Sequence, residues 1–321
     1  MMSVNQRALG NTGISVSEIA FGGVEIGIPY GIGVNDHSDM LSHWDAIKLL
    51  HAAVDGGINL FDTARLYGES ELIMGKAFYD RRDKVVLSTK CKHFRDEKGN
   101  IPPYAVLKKI IESSLTESLS TLQTDYADIF MLHQADLQIL ENEDVSRIFL
   151  DLKKSGAIRA TGASTYATDE THAAIESGAW DVIQLPFNLM DQRQQKLFSL
   201  AEEKGVALVI RSVLLKGLLS SKGRDLHPAL KDVEEHVRKY NGLIKDNIPD
   251  LSTLATKFAL SFKEVTSVLV GIDRHEYLMK SLEAADGHYL NDEIRSAAMG
   301  LEYPELEFLD LPKWDRLGWL K

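Results

Sequence analysis

Eight short, continuous apolar runs, spaced fairly regularly along 321 residues, constrain this chain more than any other feature. They fall at 17–22, 59–62, 84–90, 127–133, 158–164, 182–186, 206–212 and 266–271. Most are apolar without alternation, as parallel strands covered on both faces must be. Helical periodicity fills the gaps. In 45–55, Ile47, Leu50, Ala53 and Val54 share a face, and Gly56-Gly57 ends the helix. Across 103–122, Ile111, Leu115, Leu119 and Leu122 recur at intervals of three or four. In 250–262, Leu251, Leu254, Ala255, Phe258, Ala259 and Phe262 form a stripe behind a Pro249-Asp250 start signal. Length alone allows one large barrel or two ordinary domains. Eight strand–helix units without a Pro/Gly-rich linker predict a single α/β domain over residues 1–321, a (β/α)8 TIM barrel. The rival architecture is a doubly wound open sheet, but Phe21-Gly22-Gly23-Val24 after the first strand is no Gly-x-Gly-x-x-Gly.

Three segments fall outside the repeat. Residues 7–17 carry Leu9-Gly10-Asn11-Thr12-Gly13-Ile14, a β-hairpin signal suited to plugging the N-terminal end of the barrel. Residues 220–247 are too long for a simple connection and predict an extra helix at 231–243. The tail from Leu290 ends in a stretch from Trp314 to Trp319 that is expected to fold back over the active-site rim. A composition of 44% hydrophobic and 26% charged residues suits a globular protein with an ample core. The net charge of −11 argues against a nucleic-acid partner. No apolar run approaches membrane-spanning length, the opening Met-Met-Ser-Val-Asn-Gln lacks the pattern of a secretory leader, and Cys91 is the single cysteine. Together these point to a reducing cytoplasm.

Chemistry-bearing residues gather where apolar runs give way to loops. Asp62 closes the second run with Tyr67 shortly after it, Lys90 closes the third and His133 closes the fourth. A phenol is a poor acid near neutral pH, with a free pKa of about 10. Beside a lysine ammonium that is itself held by a carboxylate, it becomes a usable proton donor to a carbonyl oxygen. Singly, each residue has a plainer reading as a cap, rim packing, a solvated terminus or a core histidine. The loop 30–44, with Asp36, His37, Asp39, His43 and Trp44, is expected at the substrate mouth. Its acids and histidines have no spacing typical of a zinc site, so no metal is expected. Cys91 and His93 read as pocket-wall residues.

The order of these motifs resembles the aldo-keto reductase family over nearly the whole chain. The resemblance rests on residues 57–67, on Ser118-Leu119-Ser120-Thr121-Leu122-Gln123-Thr124-Asp125-Tyr126 leading into His133, on Gly162-Ala163-Ser164, and on Leu215-Lys216-Gly217-Leu218-Leu219. It implies an NAD(P)(H)-dependent enzyme interconverting carbonyls and alcohols, the hydride moving at nicotinamide C4. Tyr67 would be the general acid-base group, Lys90 would lower its pKa, Asp62 would hold Lys90, and His133 would orient the substrate carbonyl. Ser164 and Gln184 match positions that hold the nicotinamide carboxamide, with Thr165 standing where the family often has Asn. Ser212, Leu214 and Gly217 fall in the loop over the pyrophosphate, and Gly271 begins the stretch around the adenosine end.

Two positions depart from the family pattern. Arg211 stands where most members stack a Tyr or Trp on the nicotinamide. It either contacts an anionic or hydroxyl-rich substrate or lies against the ring, where its charge would favour substrate oxidation; the plainer reading is an Arg reaching solvent or pairing with an acid. Asp273 suits ribose hydroxyls and repels a 2′-phosphate, whereas its neighbour Arg274 could grip one, and the balance tilts toward NAD over NADP. The expected partner is a small carbonyl compound or sugar, with oxidation of an aldose as the alternative direction. A cofactor-binding redox-sensing regulatory subunit is the alternative of another class. It would call for an N-terminal extension, and only six residues precede Arg7. A lectin-like barrel would leave the Tyr67–Lys90 pairing unexplained.

Overall fold

The computed structural model describes residues 4–245 and 248–320. Residues 1–3, part of the segment read for a leader, and residues 246 and 247, the end of the predicted insertion, lie outside that description. Strands β1 (Gln6–Ala8) and β2 (Ser15–Ser17) form an antiparallel hairpin. The barrel strands are β3 (Ile19–Gly22), β4 (Leu60–Asp62), β5 (Val86–Lys90), β6 (Ala127–Leu132), β7 (Ile158–Ser164), β8 (Val182–Pro186), β9 (Ala207–Arg211) and β10 (Val265–Gly271). They pair in parallel in chain order, and β10 closes on β3, so no edge remains in the barrel. All six residues of β6 are buried, as an unalternating apolar run requires of a strand between barrel interior and outer helices.

The first predicted strand, 17–22, divides in two. Ser17 ends the hairpin, where its Oγ donates to Ile19 O (2.6 Å), and the barrel begins only at Ile19. The hairpin plugs the barrel as expected. Leu9, Ile14 and Val16 pack with the inward-facing Leu60, Val86, Ile129, Val182 and Val209 in a core separate from the larger one under the helices.

The helices follow their sequence signals with small shifts. Helix His43–Asp55 starts two residues before the predicted 45, because Ser42 caps it by accepting from Asp45 N (3.1 Å). Its buried face is Ala46, Leu49, Leu50 and Ala53; the predicted Ile47 and Val54 flank that face. Asp250 lies outside helix Leu251–Leu260 as its cap, accepting from Thr253 N (2.8 Å). The insertion forms helix Lys231–Lys239 and a 3-10 turn Tyr240–Leu243, and the tail folds back through helix Leu311–Arg316. There Trp314 is buried, Trp319 stacks on His227 (5.8 Å between centroids), and Asp315 pairs with Lys216 (2.8 Å) in the loop after β9.

Candidate active site

Parallel closure aligns all the strand C-termini at one rim, and the polar residues occupy them one strand after another. Asp62, Lys90, Ser164, Arg211 and Gly271 are the last residues of β4, β5, β7, β9 and β10; His133 follows β6 directly. Tyr67 stands in the turn after β4, its N–H donating to Ala64 O (3.0 Å). The short helix Val24–Gly27 packs so closely behind it that a Cβ at Gly27 would lie 1.9 Å from Tyr67 O.

Asp62 and Lys90 form an ion pair almost wholly out of water. The other Asp62 oxygen accepts from Ser88 Oγ and Gln184 Nε2, both at 3.0 Å, and Lys90 Nζ also donates to Thr63 O (3.1 Å). A buried pair needs such satisfaction, since each charge alone would be costly to desolvate. Lys90 Nζ lies 4.8 Å from the centroid of the Tyr67 ring, and the Tyr67 ring meets the His133 ring edge-on at 5.3 Å. The four groups therefore converge.

Their electrostatics differ from the expectation in one respect. Burial, reinforced by the Asp62 carboxylate, holds the Tyr67 phenol above its ordinary value. Burial also lowers Lys90, against the opposing pull of Asp62. The desolvation of both groups thus outweighs the acidification that an isolated Lys–Tyr pair predicts. Burial, with the nearby charges of Lys90, His93 and Arg211, pushes His133 down to about 3, so its imidazole is neutral.

A cavity of about 290 Å³ opens above this cluster and runs along the rim toward β10. Tyr67, His133, Ser164, Gln184 and Arg211 line its inner end; Ser212, Leu214 and Gly217 line its middle; Gly271 and Asp273 line its outer end. Asp62 and Lys90 lie beneath the wall. Arg274 is brought to none of these surfaces: it is exposed and outside the lining. Thr165 turns its hydroxyl to Thr171 (2.7 Å) and also stays out. Of the loop 30–44, Tyr30 and Gly31 reach the cavity, while Asp36, His37 and Asp39 form an exposed turn and Trp44 is exposed. Cys91 is no pocket-wall residue either. It packs in the outer core, and burial pushes its thiol up to about 12. His93 comes beside His133, 5.6 Å between ring centroids, but is likewise outside the cavity lining.

Arg211 is half-buried and pairs with no acid among the described residues. Its guanidinium donates to Thr165 O (2.9 Å) and Ser212 Oγ (3.2 Å) and lies over the Tyr166 ring at 4.1 Å. The loop that follows is strained: Ser212, Leu215 and Lys216 adopt left-handed φ of 59°, 46° and 56° without being glycine. Such strain gathers at ligand clamps. Sequence reasoning missed Glu25, Tyr166, Lys222 and Tyr277, all of which line the cavity. Glu25 and Tyr166 follow a strand end by two or three residues and Tyr277 sits on the helix after β10, which was the available signal; Lys222, in the long loop after β9, had none.

Three buried polar atoms of this wall, Glu25 Oε2, His133 Nδ1 and Arg211 Nε, have no hydrogen-bond partner among the described residues. A wall with orphaned donors and acceptors, extending from the rim cluster to Asp273, fits a long polar ligand such as a nicotinamide dinucleotide.

A parallel barrel with convergent ionisable groups on its C-terminal rim defines the class, a TIM-barrel enzyme with a polar cleft. The aldo/keto reductase family model matches residues 18–297, and the chain belongs to that family of NAD(P)-dependent oxidoreductases acting on small carbonyl compounds. The chain is 29% identical to L-galactose dehydrogenase of Arabidopsis thaliana over 289 residues, 85% of each chain. It is 28% identical to the NADH-specific methylglyoxal reductase of Escherichia coli, over 86% of this chain and 92% of that one. Among solved structures, the holo form of aldo-keto reductase AKR11C1 from Bacillus halodurans superposes with a TM-score of 0.78 at 25% identity, covering 93% of this chain and 96% of the other. Among the described residues, no helix is long and apolar enough to cross a membrane.

Proposed function

We propose that this chain, acting as one barrel domain, transfers hydride between a nicotinamide dinucleotide, NAD(H) in preference to NADP(H), and a small hydroxy-carbonyl compound or sugar. The observation that carries the reading is the convergence of Asp62, Lys90, Tyr67 and His133 on one end of a polar cleft. A bound nicotinamide supplies or accepts the hydride, which side chains cannot do.

The remaining work falls to the chain's own residues. Tyr67 gives its proton to the carbonyl oxygen in reduction and takes one from the hydroxyl in oxidation. Lys90, fixed by Asp62, stabilises the phenolate that forms. Neutral His133 has an imidazole hydrogen bond to offer the carbonyl without competing for the proton. Ser164 and Gln184 would hold the carboxamide, Arg211 would stand beside the ring, and Ser212, Leu214 and Gly217 would cover the phosphates. Gly271 and Asp273 would meet the adenosine end. Asp273 lines the cavity while Arg274 is outside it, which supports ribose hydroxyls over a 2′-phosphate. The relatives named for NADH specificity and for a sugar substrate agree with this reading. The single buried cysteine fits a cytoplasmic setting.

Oxidation of a sugar is the second reading, and Arg211 favours it. The described partners of its guanidinium are a carbonyl, a hydroxyl and a phenol ring, none of which cancels its charge. A cation beside the ring disfavours the positively charged oxidised nicotinamide relative to the reduced form. The test is kcat/KM with both cofactors against methylglyoxal and hydroxy-aldehydes in reduction and a panel of aldoses in oxidation. The reading predicts turnover with NAD(H) above NADP(H). Dominant use of the phosphorylated cofactor would contradict the role of Asp273, and no turnover in either direction would contradict the activity.

A further inference from the structure

Glu25 is the one carboxyl group that faces the cleft from the end of β3, in the turn Val24–Gly27. Its Oε1 is pressed against the backbone of Gly271 on the adjoining strand: a Cβ there would lie 1.9 Å away. Gly271 is register partner to Gly22, so the carboxyl is wedged into the seam where β10 closes on β3. Its Oε2 is shut from solvent and has no hydrogen-bond partner among the described residues. The catalytic cluster leaves this group without a task.

The charges around Glu25 are mostly of its own sign. Asp62 faces it from the end of β4 and Asp273 from the segment after β10; Lys222, beyond β9, is the cation that opposes them, and the phenols of Tyr67 and Tyr30, kept neutral by burial, also face it. Burial, then Asp273 and Asp62, push its carboxyl up to about 8 against its own backbone hydrogen bond and Lys222. Near neutral pH it therefore carries a proton, and its Oε2 has no acceptor for one among the described residues. A dinucleotide brings phosphate and ribose oxygens into this cleft, and an ionised carboxylate would repel the phosphates.

We propose that Glu25 is a cofactor-binding residue that works as a neutral carboxylic acid, donating its hydrogen to an oxygen of the bound dinucleotide, so that cofactor and proton are held together. The inference rests on the dinucleotide reading of the cleft. Its consequence is linkage. Below the folded carboxyl's value of about 8 the free protein is already protonated and affinity is flat; above it, binding must recover the proton and weakens. The Kd for NADH should be about tenfold weaker at pH 9 than at pH 7.

The experiment is fluorescence titration of NADH into the protein between pH 6 and pH 9.5, with wild type and Glu25→Gln, whose amide still donates but cannot ionise. Alongside it, calorimetry of wild type in two buffers of different ionisation enthalpy counts protons, about half a proton taken up per site at pH 8 and almost none at pH 6. Expected are a falling affinity in wild type and a flat profile in Glu25→Gln with near wild-type Kd at pH 7. A flat wild-type profile without proton uptake overturns the proposal. So does an equal slope in the variant, which would assign the titration to another group of the site. Absence of NADH binding at every pH overturns the dinucleotide reading itself, and is told apart because it needs no comparison between pH values. The calorimetry keeps the test decisive should the variant fail to fold.

Discussion

A lysine and an aspartate paired out of water leave little freedom for the groups above them. Lys90 is held by Asp62 and by Thr63 O, and Asp62 in turn by Ser88 and Gln184, so the ammonium beside the Tyr67 ring is fixed before any substrate arrives. That is the preorganisation a proton transfer needs. The same desolvation decides the state of His133. Its folded value of about 3 lies below the ordinary 6.5, so it is neutral across the physiological range; only the unfolded chain takes up its proton as pH falls below 6.5. Activity should accordingly show no step from His133: kcat/KM measured between pH 5 and pH 8 should have no limb near 6.5. A limb there that vanishes in His133→Asn would contradict the neutral imidazole. The residues of this cluster were legible in the sequence because strand ends announce themselves as apolar runs that stop. Glu25 and Tyr166 were not, because their significance lies in a backbone approach to Gly271 and in a guanidinium stacked at 4.1 Å, neither of which has a one-dimensional signature.

At the scale of elements, start and stop signals carried most of the information. Pro249-Asp250 marked a helix start, and Asp250 does cap Leu251–Leu260 through Thr253 N (2.8 Å), with Ser252 Oγ (2.8 Å) and Lys280 Nζ (2.9 Å) on the same carboxylate. Burial pushes this carboxyl up, but these hydrogen bonds prevail and hold it near 2. Because the folded value lies below the unfolded one, the stabilisation is complete above about pH 4 and is lost as pH falls through about 2. Asp250→Ala should cost about 1 kcal/mol in denaturant unfolding near neutral pH, and Asp250→Asn less. Equal stability of wild type and the alanine variant would remove the cap from the account. What escaped the periodicity was rotation and division. The helix His43–Asp55 buries Ala46 and Leu49 where Ile47 and Val54 were expected, because the packing partner sets the rotation within a broad apolar arc. The run at 17–22 broke at Ser17, whose hydroxyl bonds Ile19 O and turns the chain from hairpin to barrel.

For the whole molecule, one geometric fact organises the function. Parallel closure from β3 to β10 puts every strand's C-terminal residue on the same rim, so the proposed catalytic cluster and a long polar cleft arise from residues spread between Gly22 and Ser281. The hairpin fills the opposite end with Leu9, Ile14 and Val16. Loop and tail then clasp the working rim. Lys216 accepts at its carbonyl from Ile32 N (2.9 Å), lies over Tyr30 at 4.7 Å and pairs with Asp315 of the tail. The barrel and the return of the tail could be read from the chain, whereas this three-way clasp joins segments nearly 300 residues apart and could not. The most direct measurement is the rate at which reduced nicotinamide absorbance is lost with methylglyoxal, in wild type and Tyr67→Phe, together with the NADH Kd of each. The account predicts that deleting the phenolic hydroxyl lowers kcat at least about a hundredfold while the NADH Kd changes less than about threefold. Wild-type turnover in Tyr67→Phe would contradict it.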